Sequence, residues 1–380
     1  MTTDVLPDDV DVRENGRECA RALLATEDVE HAGPDRGIVA RVLRGFAGAG
    51  LFRLSYLDGP GPVTPRDMRA AARTAEGIAH ESGTLSSIFQ VNAVFGGAFI
   101  ALLGSDEQRE RWLVPLRDGR LQVAFALTEP SAGSDVTALA TEARADGDAF
   151  VLKGEKTYTT GAATADRIIV IARLAGGGPR EVGLFLVPPD AEGVSVEPLS
   201  KLAGDVHASC RVRLDGVSVD AQEVLGVPGA AWDFLKIGGL LERLTVAAAS
   251  AGMAAGVVER TLEYARSREQ FGKRIGEFQS IAHTVVDMQT AATTMRLLVD
   301  DALATIDRGD DPTRAVCTAK YFCAERAQEV VGAAMRVLGG RAYFHFEEIA
   351  RRYREAPLSL YAGGTVEIQK NLVARTLGLG

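Results

Sequence analysis

The chain has 380 residues, of which 46% are apolar and 24% charged, with a formal net charge of −9. That length holds two or three domains with a real core, and the composition is ordinary for a globular protein. No basic cluster offsets the negative balance, which excludes nucleic acid as the main ligand while leaving room for one local positive pocket that takes a phosphorylated small molecule.

The N-terminal stretch "MTTDVLPDDVDVREN" is acidic and lacks an apolar h-region, so it reads as neither a signal peptide nor a transit sequence. The longest apolar run, "LTVAAASAGMAAGVV", falls short of membrane-spanning length. A cytoplasmic protein with no membrane span is expected. Residues 1–120 read as helices. "RGIVARVLRGFAGAGLF" has apolar residues at helical spacing, "TPRDMRAAARTAEGIAH" opens on a Thr-Pro start signal, and "SDEQRERWLVPLRDG" places Ser105 and Gln108 at capping-box spacing. The aromatics of "SSIFQVNAVFGGAF" (86–99) suit a pocket lining as well as a core.

Residues 121–232 change texture. "LQVAFALTE", "DAFVLKGEKTYTT", "DRIIVIARL", "EVGLFLVP" and "CRVRLDGVSV" are short β-branched or apolar runs punctuated by Gly, Pro and Asp, which predicts a small barrel or sandwich. "GGGP" at 176–179 reads as a hairpin turn. "GAG" at 48–50 lacks the third glycine and the preceding strand of a dinucleotide fingerprint. Residues 233–380 return to long helices rich in small side chains, each ending near Gly, for which a four-helix bundle is the natural packing. The fold class is therefore α+β, mostly α: an N-terminal helical domain, a middle β domain and a C-terminal helical bundle. The cysteines Cys19, Cys210, Cys317 and Cys323 form no CxxC pair and read as buried free thiols. The histidines show no metal-ligand spacing, so no metal is expected.

Local motifs in this order resemble the acyl-CoA dehydrogenase family, over nearly the whole chain from Arg36 to Ala374. They are "FALTEPSAGSD" (125–135), "GEKTYTTGA" (154–162), "SREQFGKRIGEFQSI" (267–281), "VLGGRAYF" (337–344) and "REAPLSLYAGGTVEIQKN" (354–371). The resemblance implies FAD as cofactor, an acyl-CoA or acyl-carrier-protein substrate, an electron-transfer flavoprotein or other acceptor, and a homotetramer or homodimer. The "TEPSAGSD" loop offers backbone N–H groups and hydroxyls to a flat polar ligand on its own terms. By resemblance Phe125, Leu127, Thr128, Gly133 and Ser134 line the flavin, its pyrophosphate and the substrate thioester. Tyr158, where the family often has Trp, and Thr160 flank the flavin. Arg268, whose planar fork suits phosphate oxygens, holds the FAD of a neighbouring subunit, with Gln270 and Phe271 beside it and Ile275, Phe278 and Gln279 along the adenosine. Arg336, where Gln is usual, Gly339 and Gly340 match the pyrophosphate-side loop. Gly364 and Thr365 match the turn against flavin and substrate, and Glu367 an adenosine contact. Glu355 after Arg354 matches a structural Arg-Asp pair.

The chain departs from the common pattern at the base. The family usually carries its proton-abstracting Glu in the terminal signature, where this chain has Gly363. The isovaleryl-CoA and long-chain branches carry it instead as a Glu-Arg pair on the first long C-terminal helix, and Glu242 and Arg243 in "GGLLERLTVAAAS" stand at the matching positions. The residues argue the same way without the family. The helical neighbours of Glu242, namely Gly238, Gly239, Thr245 and Val246, are small or apolar, a face on which a carboxylate is desolvated or lines a cavity. The resemblance further implies that the backbone N–H of Gly363 polarises the thioester carbonyl, an oxyanion-hole device that needs no side chain. The expected reaction is FAD-dependent α,β-dehydrogenation of an acyl thioester with Glu242 as base. The alternatives are oxidation of a hydroxyacyl thioester, a flavin monooxygenase or oxidase on the same scaffold, and a non-catalytic FAD-binding subunit.

Overall fold

The structure, a computed structural model, describes residues 9–30, 32–58 and 63–379. In chain order it begins with α1 (Asp9–Thr26), α2 (Arg36–Gly48), α3 (Ser55–Asp58), α4 (Pro65–Glu81), α5 (Gly83–Phe89), a π-helical stretch (Gln90–Gly97), α6 (Ala98–Leu103) and α7 (Asp106–Arg117). Strands follow: β1 (Val123–Ala126), β2 (Glu142–Asp146), β3 (Ala149–Thr160), β4 (Arg167–Leu174), β5 (Val182–Val187), β6 (Val194–Leu199), β7 (Ser209–Asp220) and β8 (Val224–Gly229). The chain then forms α8 (Trp232–Ser267), a ribbon of β9 (Glu269–Gln270) and β10 (Lys273–Arg274), α9 (Gln279–Asp307), α10 (Thr313–Leu338), α11 (Glu348–Glu355), α12 (Leu358–Tyr361) and α13 (Val366–Thr376). The helix–sheet–helix order expected from the sequence is the order observed.

The chain divides into two compact units, one made of Leu23–Asp67 and Ser87–Glu242, the other of Met1–Ala22, Met68–Ser86 and Arg243–Gly380. The first unit holds the sheet. Its hydrogen-bonded path runs β6-β7-β3-β2-β4-β5-β8, with β1 added in parallel on β4, so among the described residues the path ends on β6 and β8. Ala124, Leu152, Ile168, Val170, Phe185, Val187, Val212 and Leu214 form its apolar core. The "GGGP" stretch joins antiparallel β4 and β5 as a turn. In the second unit α10 packs along both α9 and α13, and the thiols of Cys317 and Cys323 are buried and free.

Two helical stretches, Gly83–Leu103 and Trp232–Ser267, reach the length and hydropathy of a membrane span, which corrects the shorter apolar run read from the sequence. In each, 78% of that window is buried inside the protein, as in a core helix.

The capping box forms at α7. Ser105 Oγ accepts from Gln108 N at 3.2 Å, and Gln108 Oε1 accepts from Ser105 N at 2.9 Å. Gln108 does more than cap: its Nε2 donates to Gln222 O at 2.7 Å and Val224 O at 2.9 Å, tying α7 to the start of β8. Gln108→Leu strands those carbonyls and is expected to cost about 1–3 kcal/mol of stability, read as a lowered urea midpoint. An unchanged midpoint contradicts the assignment.

Candidate active site

The loop after β1 is held from beneath by a buried ion pair. Lys156 on β3 is fully buried, and its Nζ donates to Leu127 O at 3.0 Å and to Glu129 Oε1 at 2.7 Å. The Glu129 carboxylate also accepts from Ala140 N at 2.6 Å and Thr141 N at 3.0 Å, so one side chain clasps both ends of the "TEPSAGSD" loop. Thr157 N donates to Thr128 O at 2.9 Å. Burial pushes the Glu129 carboxyl up, but the charge and hydrogen bond of Lys156 and the Thr141 and Ala140 contacts outweigh it and hold the group below the usual carboxylate range. Burial pushes the Lys156 ammonium down to about 8, against the pull of Glu129. With its ends fixed, the loop presents Gly133 and Ser134 outward, both exposed, while Leu127 and Thr128 are half-buried.

The register of β3 against β7 shifts between Lys156 and Thr159, and Tyr158 sits in that bulge with φ 56°. Bulges of this kind re-aim a side chain beside a site, and the Tyr158 ring is 69% exposed. The Thr160 hydroxyl lies 2.9 Å from Ser209 Oγ. Among the described residues, Tyr158 and Phe271 are the only non-glycine residues in the left-handed region. Such a conformation costs about 1–3 kcal/mol and clusters at functional sites. Both residues are ones that the family resemblance sets against the cofactor.

Phe125 stacks with two rings of the 86–99 stretch, Phe95 at 5.5 Å and Phe99 at 5.0 Å. Phe99 in turn fills a notch in α8: a Cβ on Gly238 would lie 2.3 Å from Phe99 Cζ. Glu242 is one helical turn further along α8 on the face of Gly238 and is half-buried. The base candidate is thus placed, through Gly238, Phe99 and Phe125, on the same framework as the loop. Asn92 Oδ1, in the π-helical stretch, accepts from Val123 N at 3.0 Å and fixes the start of β1.

The second unit carries the remaining candidates in three places. At the first, Phe271 (φ 53°) and Gly272 (φ 77°) make a two-residue turn between β9 and β10 with both centres left-handed, where Asn-Gly is usual. The Phe271 ring is 94% exposed and meets Phe278 edge-on at 6.2 Å. Arg268, Gln270 and Gln279 are exposed around it, and Ile275 and Phe278 are half-buried. At the second, Arg336 is exposed in the last turn of α10, followed by exposed Gly339 and Gly340. At the third, Gly363 (φ 71°) and Gly364 (φ 88°) form a left-handed pair ahead of Thr365, which caps α13 by accepting from Ile368 N at 3.3 Å. Glu367 is exposed, its carboxyl lowered by its own backbone N–H and the Thr365 hydroxyl. Arg243 is half-buried. Glu355 is buried as expected, but its arginine partner is Arg351 at 3.5 Å, while Arg354 turns to Ala350 O. The carboxylate also accepts from Gly83 N, Thr84 N and Thr84 Oγ1.

The donor set fits FAD. One unit supplies an open glycine-serine loop and the exposed Tyr158 ring, the other the exposed Phe271 ring and an exposed guanidinium, and each set suits part of a flat, anionic dinucleotide.

Comparison with known proteins gives one answer. Family profiles described as acyl-CoA dehydrogenase N-terminal, middle and C-terminal domains match residues 7–120, 124–217 and 239–378. The chain is 35% identical over 318 residues to a 3-(aryl)acrylate reductase of Clostridium sporogenes, covering 82% of this chain and 83% of that protein. It is 30% identical to the caffeyl-CoA reductase-Etf complex subunit CarC of Acetobacterium woodii, covering 96% and 97%. A solved glutaryl-coenzyme A dehydrogenase in complex with glutaryl-CoA superposes with a TM-score of 0.90 at 26% identity, covering 100% of this chain and 98% of that one.

The buried clasp yields a signed test. Lys156→Met breaks a buried pair, a loss of about 3–5 kcal/mol. A carboxyl with a lowered folded pKa stabilises above its unfolded pKa, and that contribution is lost as pH falls through the lowered value. Removing Lys156 raises the folded pKa of Glu129. Acid release of FAD, followed by flavin fluorescence, is therefore expected to begin at higher pH in Lys156→Met than in wild type. Coincident acid curves contradict the clasp.

Proposed function

The chain belongs to the acyl-CoA dehydrogenase family, and from that premise we propose that it oxidises an acyl thioester between C2 and C3 with Glu242 as the base. FAD is the cofactor, and when bound it supplies the acceptor for the hydride leaving C3. The observation that carries the reading is the framework on α8. Gly238 takes the Phe99 ring, Phe99 stacks on Phe125 at the root of the flavin loop, and Glu242 follows one turn later. A carboxylate is the kind of general base that abstraction of a C2 proton requires. The Gly363 N–H donates to the thioester oxygen as charge develops there. Three further residues are assigned to the thioester: Ser134 and Gly364 by hydrogen bonds, Arg243 by its charge.

The acyl carrier is CoA or a carrier protein. A relative named as part of an Etf complex supports an electron-transfer flavoprotein as redox partner. The exposed Phe271, Tyr343 and Phe346 support assembly as a homotetramer or homodimer, and we place the enzyme in the cytoplasm. Two relatives are named reductases, which favours a second reading: the same groups run in reverse on an enoyl thioester, Glu242 giving a proton to C2.

Anaerobic mixing with saturated acyl-CoA and acyl-carrier thioesters is expected to bleach the flavin for one carrier class; mixing reduced enzyme with the enoyl forms reads the reverse direction. Glu242→Gln is expected to lower kcat about 10²–10⁴-fold at unchanged FAD content. Activity retained in that variant overturns the assigned base, and FAD bound without turnover of any thioester by wild type overturns the reading as a whole.

A further inference from the structure

The turn that carries the Gly363 N–H is held by two side chains with no part in the chemistry described so far. Lys320, on α10, is fully buried. Its Nζ donates to Gly364 O at 2.5 Å and to Leu360 O at 3.4 Å. Gln369, on α13, is also fully buried, and its Nε2 donates to Gly363 O at 2.9 Å and Gly364 O at 3.1 Å. Ala362 N donates to Leu358 O at 3.0 Å. These bonds fasten the peptide groups between 360 and 362 and between 363 and 365, on both sides of the Ala362–Gly363 amide. Two adjacent glycines are the most mobile backbone a chain can offer. A donor of this kind works only if it is aimed before charge develops, so the turn needs restraint from outside itself. A fully buried ammonium is rarely kept without a task.

We propose that Lys320 and Gln369 are positioning residues that aim the Gly363 N–H at the thioester oxygen by capturing the carbonyls of residues 360, 363 and 364. The proposal rests on the reading of Gly363 as the carbonyl donor. Lys320 and Gln369 act through the turn and touch no reacting atom. Lys320 Nζ and Gln369 Nε2 are donors bound to carbonyls, so neither of them occupies the Gly363 N–H.

The test uses the FAD-loaded enzyme and acetoacetyl-CoA, whose acidic C2 proton makes the enolate visible by its own absorbance when the bound oxygen is stabilised. Wild type is expected to bind it as the enolate. Lys320→Met and Gln369→Leu, each with wild-type FAD content and melting temperature, are expected to bind it with about 10- to 100-fold less enolate relative to the keto form, and to lose kcat in the same proportion with KM nearly unchanged. Gln369→Leu keeps the result readable if Lys320→Met does not fold. Enolate fractions equal to wild type in the folded variants overturn the positioning role. Loss of enolate only in step with loss of FAD or of the folded state also overturns it, because the pair is then structural. Failure of wild type itself to stabilise the enolate strikes the Gly363 reading, and the positioning role with it, an outcome visible without any variant.

Discussion

Close approach of α8 to the Phe99 ring is the constraint on which the site depends. Only a glycine at 238 leaves room for that ring, since any Cβ there would lie far inside contact distance of it. The ring is almost fully buried and stacks on Phe125, which also stacks with Phe95. Three aromatic residues therefore transmit the position of one helix to the base of the loop after β1. Stacks of this type contribute about 0.5–1.5 kcal/mol per pair beyond their buried area. A carboxylate on the next turn of α8 inherits that precision from the helix that carries it.

Two buried lysines do for the loops what the rings do for the helix. Lys156 and Lys320 are both fully buried, and each donates to main-chain carbonyls of a loop that would otherwise be mobile. The loop clasped through Glu129 is rich in Gly and Ser, and the turn held by Lys320 contains a glycine pair. Open backbone is what lets a cofactor or thioester come close, and it is also what costs most entropy to order. A charged donor placed underneath leaves the outer N–H side unobstructed.

Much of this was legible in the sequence. The helix–sheet–helix order followed from apolar periodicity and turn residues, and the capping box at Ser105 formed as its spacing required. The strands with strong β-branched runs were readable. β2, β6 and β8 were not, because "EARAD", "VSVEPL" and "VLGVPG" mix charge, proline or glycine into short edge-like segments whose pairing only the sheet supplies. The left-handed backbone at Tyr158 and Phe271 carried no composition signal, since it is imposed by a bulge and by a two-residue turn. The positioning side chains were invisible for a different reason. Lys156, Lys320 and Gln369 look like ordinary polar residues of a strand and two helices until burial shows them facing inward. Period-two alternation gives no warning at Lys156 either, since Lys156 and Thr157 are both buried in β3.

The central claim is that proton transfer at C2 belongs to a carboxylate on α8 and not to the terminal signature. The most direct measurement is exchange of deuterium from C2 of a bound 2,2-dideuterated acyl thioester into water, followed by mass spectrometry under conditions where oxidation is blocked by a fully reduced flavin. The account predicts exchange in wild type that is abolished when Glu242 is replaced by alanine with the fold and FAD content intact. Exchange at the wild-type rate in that variant would contradict it.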